Sequence, residues 1–160
     1  MEIYLAGPLF TQAERSWNLR LAALLTQAGH SVFLPQTEVQ SIPDLDADAI
    51  FRCDVDGVRA ADAVLAIVDG ADPDSGTSFE CGLAYAMGIP IVVARTDFRA
   101  GGDALPGQKL ASINLMLAQA AAVVVERTAT TDSIDDLAAD LVEALGTLPP
   151  ASDRPERLRP

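Results

Sequence analysis

The chain has 160 residues, of which 49% are hydrophobic and 21% charged, with a formal net charge of −12. A surface this acidic repels phosphate backbones and argues against duplex nucleic acid, and no apolar run approaches the roughly 18–20 residues needed to cross a bilayer. Two cysteines, Cys53 and Cys81, and a single histidine, His30, argue against a zinc site or a disulfide framework. The length reads as one domain with a sizeable core, and the N-terminus shows no signal-peptide pattern, which predicts a cytoplasmic protein.

Ile3–Ala6 reads as a short buried strand, broken by Gly7-Pro8. Trp17, Leu21, Leu24, Leu25 and Ala28 recur at helical spacing, with Gly29 as the stop. Ser31–Leu34 is the second strand, ended by Pro35, and the polar segment from Gln36 to Pro43 is expected to be a loop over the active face. A second helix runs from about Asp46 to Ala60, with Phe51, Val55 and Val58 as its apolar stripe. Asp54 falls on or beside that stripe, either paired with Arg52 or Arg59, solvated, or held there for function.

Ala63–Val68 is the most apolar strand of the chain. The stretch from Asp74 to Glu80 follows it, a glycine-containing turn that opens a helix and carries two carboxylates six residues apart. Phe79, Leu83, Ala86 and Met87 are expected to face inward, and Gly88 to end that helix. Thr77 and Glu80 have the spacing of a capping box, so Glu80 has a purely structural reading beside a functional one. Ile91–Ala94 is the fourth strand, and the stretch from Arg95 to Lys109, with its glycines and proline, is expected to be a mobile loop. Ile113–Ala120 reads as a short helix and Ala122–Val125 as the fifth strand. Asp132 or Ser133 caps a last helix, with Ile134, Leu137, Ala138, Leu141 and Leu145 on one face and Gly146 past its end. Residues 1–147 form the expected domain, and the proline- and arginine-rich residues 148–160 a surface arm, partly disordered.

Strands alternate with helices, and the strands are continuously apolar. That predicts an α/β fold with a parallel sheet covered on both faces. Five strands suggest the doubly wound, flavodoxin-like order 2-1-3-4-5, with a switch point between strands 1 and 3. Tyr4 and Gly7 would then lie next to Asp74 and Glu80. No G-x-G-x-x-G or G-x-x-x-x-G-K-[ST] motif is present, which argues against NAD or ATP. What remains is carboxylate chemistry from Asp54, Asp74 and Glu80. Carboxylates accept hydrogen bonds from sugar hydroxyls and can trap an oxocarbenium-like centre. A carboxylate nucleophile splits one displacement into two.

Four stretches in order, Ile3–Phe10, Asp54–Val58, Asp74–Gly82 and Asn114–Met116, resemble the motifs of the nucleoside 2-deoxyribosyltransferases. The resemblance runs from residue 3 to about residue 125. It implies Glu80 as the nucleophile at the anomeric carbon, Tyr4 as the group that orients it, and Asp74 as the holder of a sugar hydroxyl. It places Asp54 by the nucleobase, where it assists protonation, and Gly7, Phe10 and Gly76 among the substrate-binding residues. Asn114 and Met116 would reach into a neighbouring subunit's site, Asn114 on the 5′-hydroxyl side. The bland reading of these two is helix capping and packing. The implied protein is a homo-oligomer, dimer-based and up to a hexamer, with shared active sites. It acts on a deoxynucleoside and a free nucleobase without metal or organic cofactor. The C-terminal segment and residues 36–44 depart from the family pattern.

The expected function is a nucleoside-salvage transglycosylase working through a covalent glutamyl intermediate. The alternative is an N-glycosidase of the same superfamily, in which water takes the glycosyl group of a nucleoside or its 5′-monophosphate. Pro8-Leu9 and Asn114–Met116 stand where serine or arginine would bind a 5′-phosphate, which favours an unphosphorylated nucleoside. A non-catalytic ligand-binding domain is a third reading, opposed by the presence of both Glu80 and Tyr4.

Overall fold

The computed structural model describes residues 1–43, 46–99, 102 and 112–149. Strands β1 (Glu2–Ala6), β2 (Ser31–Phe33), β3 (Ala63–Ile67), β4 (Ile91–Arg95) and β5 (Val123–Glu126) form one sheet in the order β2-β1-β3-β4-β5. Every neighbouring pair is parallel. The described α-helices are α1 (Gln12–Gln27), α2 (Pro35–Glu38), α3 (Ala47–Ala60), α4 (Ser75–Ala86), α5 (Leu115–Ala120) and α6 (Ile134–Gly146). This is the expected doubly wound α/β architecture.

Alternate residues of each strand feed two separate cores, as the pleat requires. Ile3, Leu5, Leu65 and Ile67 pack with Leu21 and Leu25 of α1 and Leu137, Leu141 and Leu145 of α6. Tyr4, Ala6, Val64 and Ala66 pack on the other face with Val58 of α3 and Cys81 and Ala84 of α4. Side-chain oxygens start the helices: Thr11 with Glu14 for α1, Asp46 for α3, Asp74 for α4, Asn114 for α5, and Ser133 with Asp136 for α6. Gly29 (φ 93°) and Gly88 (φ 66°) follow α1 and α4 in the left-handed conformation that lets the chain turn into the next strand.

Several expectations are corrected. The segment after Pro35 is not a loop: Pro35 opens α2, where its fixed φ suits the first helical turn, and a 3₁₀ turn continues over Val39–Ser41. Gln36 is buried there, donating from Nε2 to the Arg15 carbonyl at 2.9 Å and accepting from Asn18 Nδ2 at 3.3 Å. The inward face of α4 is Thr77, Cys81 and Ala84, whereas Phe79 is 57% exposed and Ala86 is exposed too. Small residues allow the helix to approach the sheet closely; Leu83 and Met87 are partly buried against the same core as expected, and Phe79 is turned outward. Phe51 of α3 is likewise exposed and meets Phe79 at 6.1 Å between ring centroids. Arg95 belongs to β4 and is buried, not part of a loop, and Gly146 lies inside α6 rather than past it. Residues 96–99 and 102 of the expected loop are described and form neither helix nor strand; its other residues to Lys109 and most of the C-terminal arm lie outside the described residues.

Gly57 gives a first test of how tightly the site is built. A Cβ on Gly57 would stand 2.7 Å from the Phe33 ring, and that ring stacks on Tyr4 at 5.2 Å. An alanine in mid-helix ordinarily stabilises by about 1 kcal/mol. Here overpacking, typically about 1–3 kcal/mol, is expected to win, so Gly57→Ala should lower Tm. Thermal unfolding checks the sign; an unchanged or raised Tm would show that Phe33 moves aside freely.

Candidate active site

The chain leaves β1 and β3 toward opposite faces of the sheet, and the crevice between their carboxyl ends is where ligands bind in such folds. Tyr4 rises from β1, fully buried, and its hydroxyl donates to Glu80 Oε1 at 2.6 Å. Glu80 lies in the second turn of α4 and reaches back across the crevice. The capping-box reading of Glu80 is therefore overturned: Asp74 caps α4, its Oδ2 accepting from the Thr77 amide at 3.0 Å, and Glu80 is turned toward Tyr4.

Glu80, Asp54 and Asp74 line one cavity of about 330 Å³ together with Gly7, Phe10 and Gly76. Its far wall is Pro35, Gln36, Val39 and Ile50, with Leu9 and Arg15 completing the rim. Asp54 does not pair with either arginine considered from the sequence. Arg52 pairs with Asp48, Arg59 pairs with Asp56, and Asp54 Oδ1 is buried with no hydrogen-bond partner among the described residues. A smaller cavity of about 140 Å³ shares Asp54, Gly76 and Glu80 and is walled by Phe51, Val55, Val58, Phe79 and Leu83.

These surroundings shape the acid–base character. Burial, reinforced by the negative charges of Asp54 and Asp74, outweighs the Tyr4 hydrogen bond and pushes Glu80 up to about 7. Burial also raises Asp54, which makes it a better carrier of a proton. Tyr4 is raised first by burial and then by the Glu80 charge, so it stays a donor throughout the working range. The neighbouring Cys81 thiol is buried and pushed up to about 12, which rules against a nucleophilic thiolate. Among the described residues no group of His, Cys, Asp and Glu is placed to hold a metal ion.

Asn114 and Met116 are not brought to Glu80 within one chain. Asn114 caps α5, accepting from the Met116 amide at 2.9 Å, and both line a separate cavity of about 470 Å³ between α4 and α5. Met116 is 76% exposed.

One supporting network was not legible in the sequence. The Arg95 guanidinium donates to the carbonyls of Val68, Gly70 and Arg99, at 2.8, 3.2 and 2.7 Å. Asp69 Oδ1 accepts from the amides of Thr96 and Asp97, and its Oδ2 from the Thr96 hydroxyl. Together they clamp the start of the segment that carries Asp74. The available signal was a charged residue at the carboxyl end of two apolar strands, Arg95 closing β4 and Asp69 just past β3.

A sequence model described as nucleoside 2-deoxyribosyltransferase matches residues 3–116, more than two thirds of the chain. The chain belongs to the nucleoside 2-deoxyribosyltransferase family. Among solved structures, a conserved protein from Enterococcus faecalis is similar at 29% identity and TM-score 0.69, over 91% of this chain and 97% of that one. A 2-desoxiribosyltransferase from Leishmania mexicana is similar at 27% identity and TM-score 0.64, over 89% and 97%. The 2-deoxyribosyltransferase of Bacillus psychrosaccharolyticus shares the fold at 21% identity and TM-score 0.66, over 99% and 100%. No curated protein matches the sequence significantly. Among the described residues no helix of this family member is long and apolar enough to cross a membrane.

Proposed function

We propose that this protein transfers the 2-deoxyribosyl group of a 2′-deoxynucleoside to a second free nucleobase, in nucleoside salvage. The observation that carries this reading is the buried Tyr4–Glu80 contact opening into a cavity that also holds Asp54 and Asp74. A Glu80 oxygen attacks the anomeric carbon. The bond from that carbon to the base nitrogen breaks, its electron pair going to the base, and protonated Asp54 supplies the proton that makes the base a neutral leaving group. Tyr4 holds Glu80 in place by its hydrogen bond.

Asp74 holds a sugar hydroxyl: Oδ2 is occupied by Thr77, and Oδ1 has no hydrogen bond among the described residues. The second base then attacks the same carbon, releases Glu80 and returns a proton to Asp54. Two inversions leave the configuration retained. Gly7, Phe10 and Gly76 border the sugar and base. Asn114 and Met116, on an exposed face, complete the site of a neighbouring subunit in a homo-oligomer. The working compartment is the cytoplasm.

The test is incubation with deoxyinosine or thymidine, with and without a different free base, and chromatography of the products. A new deoxynucleoside formed only with acceptor is the expected result. Base release at a rate and yield independent of added acceptor would make the protein an N-glycosidase instead.

A further inference from the structure

Arg15, in the first turns of α1, is the one cationic side chain among the described residues that line the cavity with Asp54, Asp74 and Glu80. Its Nη1 donates to the Leu9 carbonyl at a long 3.4 Å, and no carboxylate forms an ion pair with it among the described residues. Its backbone is held firmly. The Arg15 amide donates to the Thr11 carbonyl at 3.0 Å, and the Arg15 carbonyl accepts from the buried Gln36 side chain at 2.9 Å. These bonds seat Arg15 beside α2, at the wall formed by Pro35, Gln36 and Val39. A guanidinium carries five N–H donors in a rigid fork, so most of its donor capacity is left for a ligand.

Three carboxylates around the same cavity disfavour an anion as that ligand. A neutral, planar group with adjacent acceptors suits the fork better. The O6 and N7 atoms of a 6-oxopurine are such a pair, and they are the atoms that arginine reads bidentately in guanine; adenine puts an amino donor in place of O6. We infer that Arg15 is the base-specificity residue of this site, recognising the O6 edge of hypoxanthine or guanine and discriminating against adenine. The inference rests on the reading of the cavity as a deoxynucleoside site.

The test compares wild type, Arg15→Met and Arg15→Lys in two measurements, after thermal unfolding has shown each variant folded. Methionine keeps an apolar stem but no donor, and lysine keeps the charge without the fork. The first measurement is calorimetric binding of free hypoxanthine and free adenine. The second is kcat/KM for deoxyinosine, deoxyadenosine and deoxyinosine 5′-monophosphate with one common acceptor. Wild type should prefer the oxo base in both, Arg15→Met should lower that preference by about tenfold or more, and Arg15→Lys should restore part of it.

An unchanged ratio in Arg15→Met, a wild-type preference for adenine, or no binding of either base overturns the inference. So does a preference for the monophosphate that disappears in Arg15→Met, since it would place the guanidinium on a phosphate. Selective hypoxanthine binding without any glycosidic cleavage upholds Arg15 and overturns the transfer reading. Transfer without base preference does the reverse.

Discussion

Glu80→Gln is expected to remove transfer activity by roughly a thousandfold or more, as loss of a nucleophile does, and at the same time to make the protein more stable at pH 8. Both effects come from the same burial. Glu80 sits at about 7 in the folded chain, against an ordinary value of 4.5, so the folded state binds its proton more tightly than the unfolded state does. Stability therefore falls as pH rises from about 4.5 to about 7, and above that window the full penalty for the buried charge, of the order of 3 kcal/mol, is present. Glutamine removes it and keeps an oxygen that accepts from Tyr4. The gain in Tm should be several degrees at pH 8 and should vanish at pH 4, where the carboxyl is neutral in both states. Intact-mass measurement of wild type with deoxynucleoside alone should show a deoxyribosyl adduct on Glu80. In the proposed mechanism the carboxylate form attacks, so wild-type kcat/KM should fall as pH drops through about 7. Tyr4→Phe should move that limb to higher pH, because the hydrogen bond it removes favours the carboxylate. Substantial transfer by Glu80→Gln, or an equal Tm at pH 8, would sink the nucleophile assignment or its burial respectively.

For Asp54→Asn, the expected loss depends on the leaving group. Asp54 is raised by burial, its Oδ1 has no protein partner among the described residues, and it shares the cavity with Glu80. Those are the conditions for a proton donor that works on a ligand rather than on the fold. A positioned general acid contributes about 10²–10⁴-fold, so deoxyinosine cleavage should drop by that amount. A 7-methylated purine deoxynucleoside already carries positive charge in the base and needs no proton to leave. Its cleavage should fall less than tenfold by the same reasoning. The measurement is kcat/KM for both substrates with wild type and variant. Equal losses would take Asp54 out of the acid role and leave it a binding group.

Much of the site was legible because it depends on local spacing. The six-residue separation of Asp74 and Glu80 across a turn already placed both at the start of one helix, and strand–helix alternation placed that helix at the crevice. Where the sequence reading failed, a long-range contact had overridden a local rule. Thr77 and Glu80 have the spacing of a capping box, yet a hydrogen bond to Tyr4, 76 positions away in sequence, decides where Glu80 points. Phe79 looked like a core residue because it is large and apolar. Packing α4 close to the sheet selected Thr77, Cys81 and Ala84 instead.

The sequence by itself pointed to the parallel sheet, to its strand order and to Asp54, Asp74 and Glu80 as carboxylates on one side of it, and the structure shows that order and one cavity lined by all three. Apolar strands without alternation must be covered on both faces, and short-range spacing governs where helices begin. Only the tertiary structure decided that Asp54 has no ion pair among the described residues, that the segment after Pro35 is helical and walls the cavity, and that Arg15 lines the same cavity as Glu80. It also decided that Arg95 and Asp69 brace the segment carrying Asp74. Each of these depends on which groups lose water together when distant segments meet, and that loss of hydration sets the proton affinity of Glu80 as well.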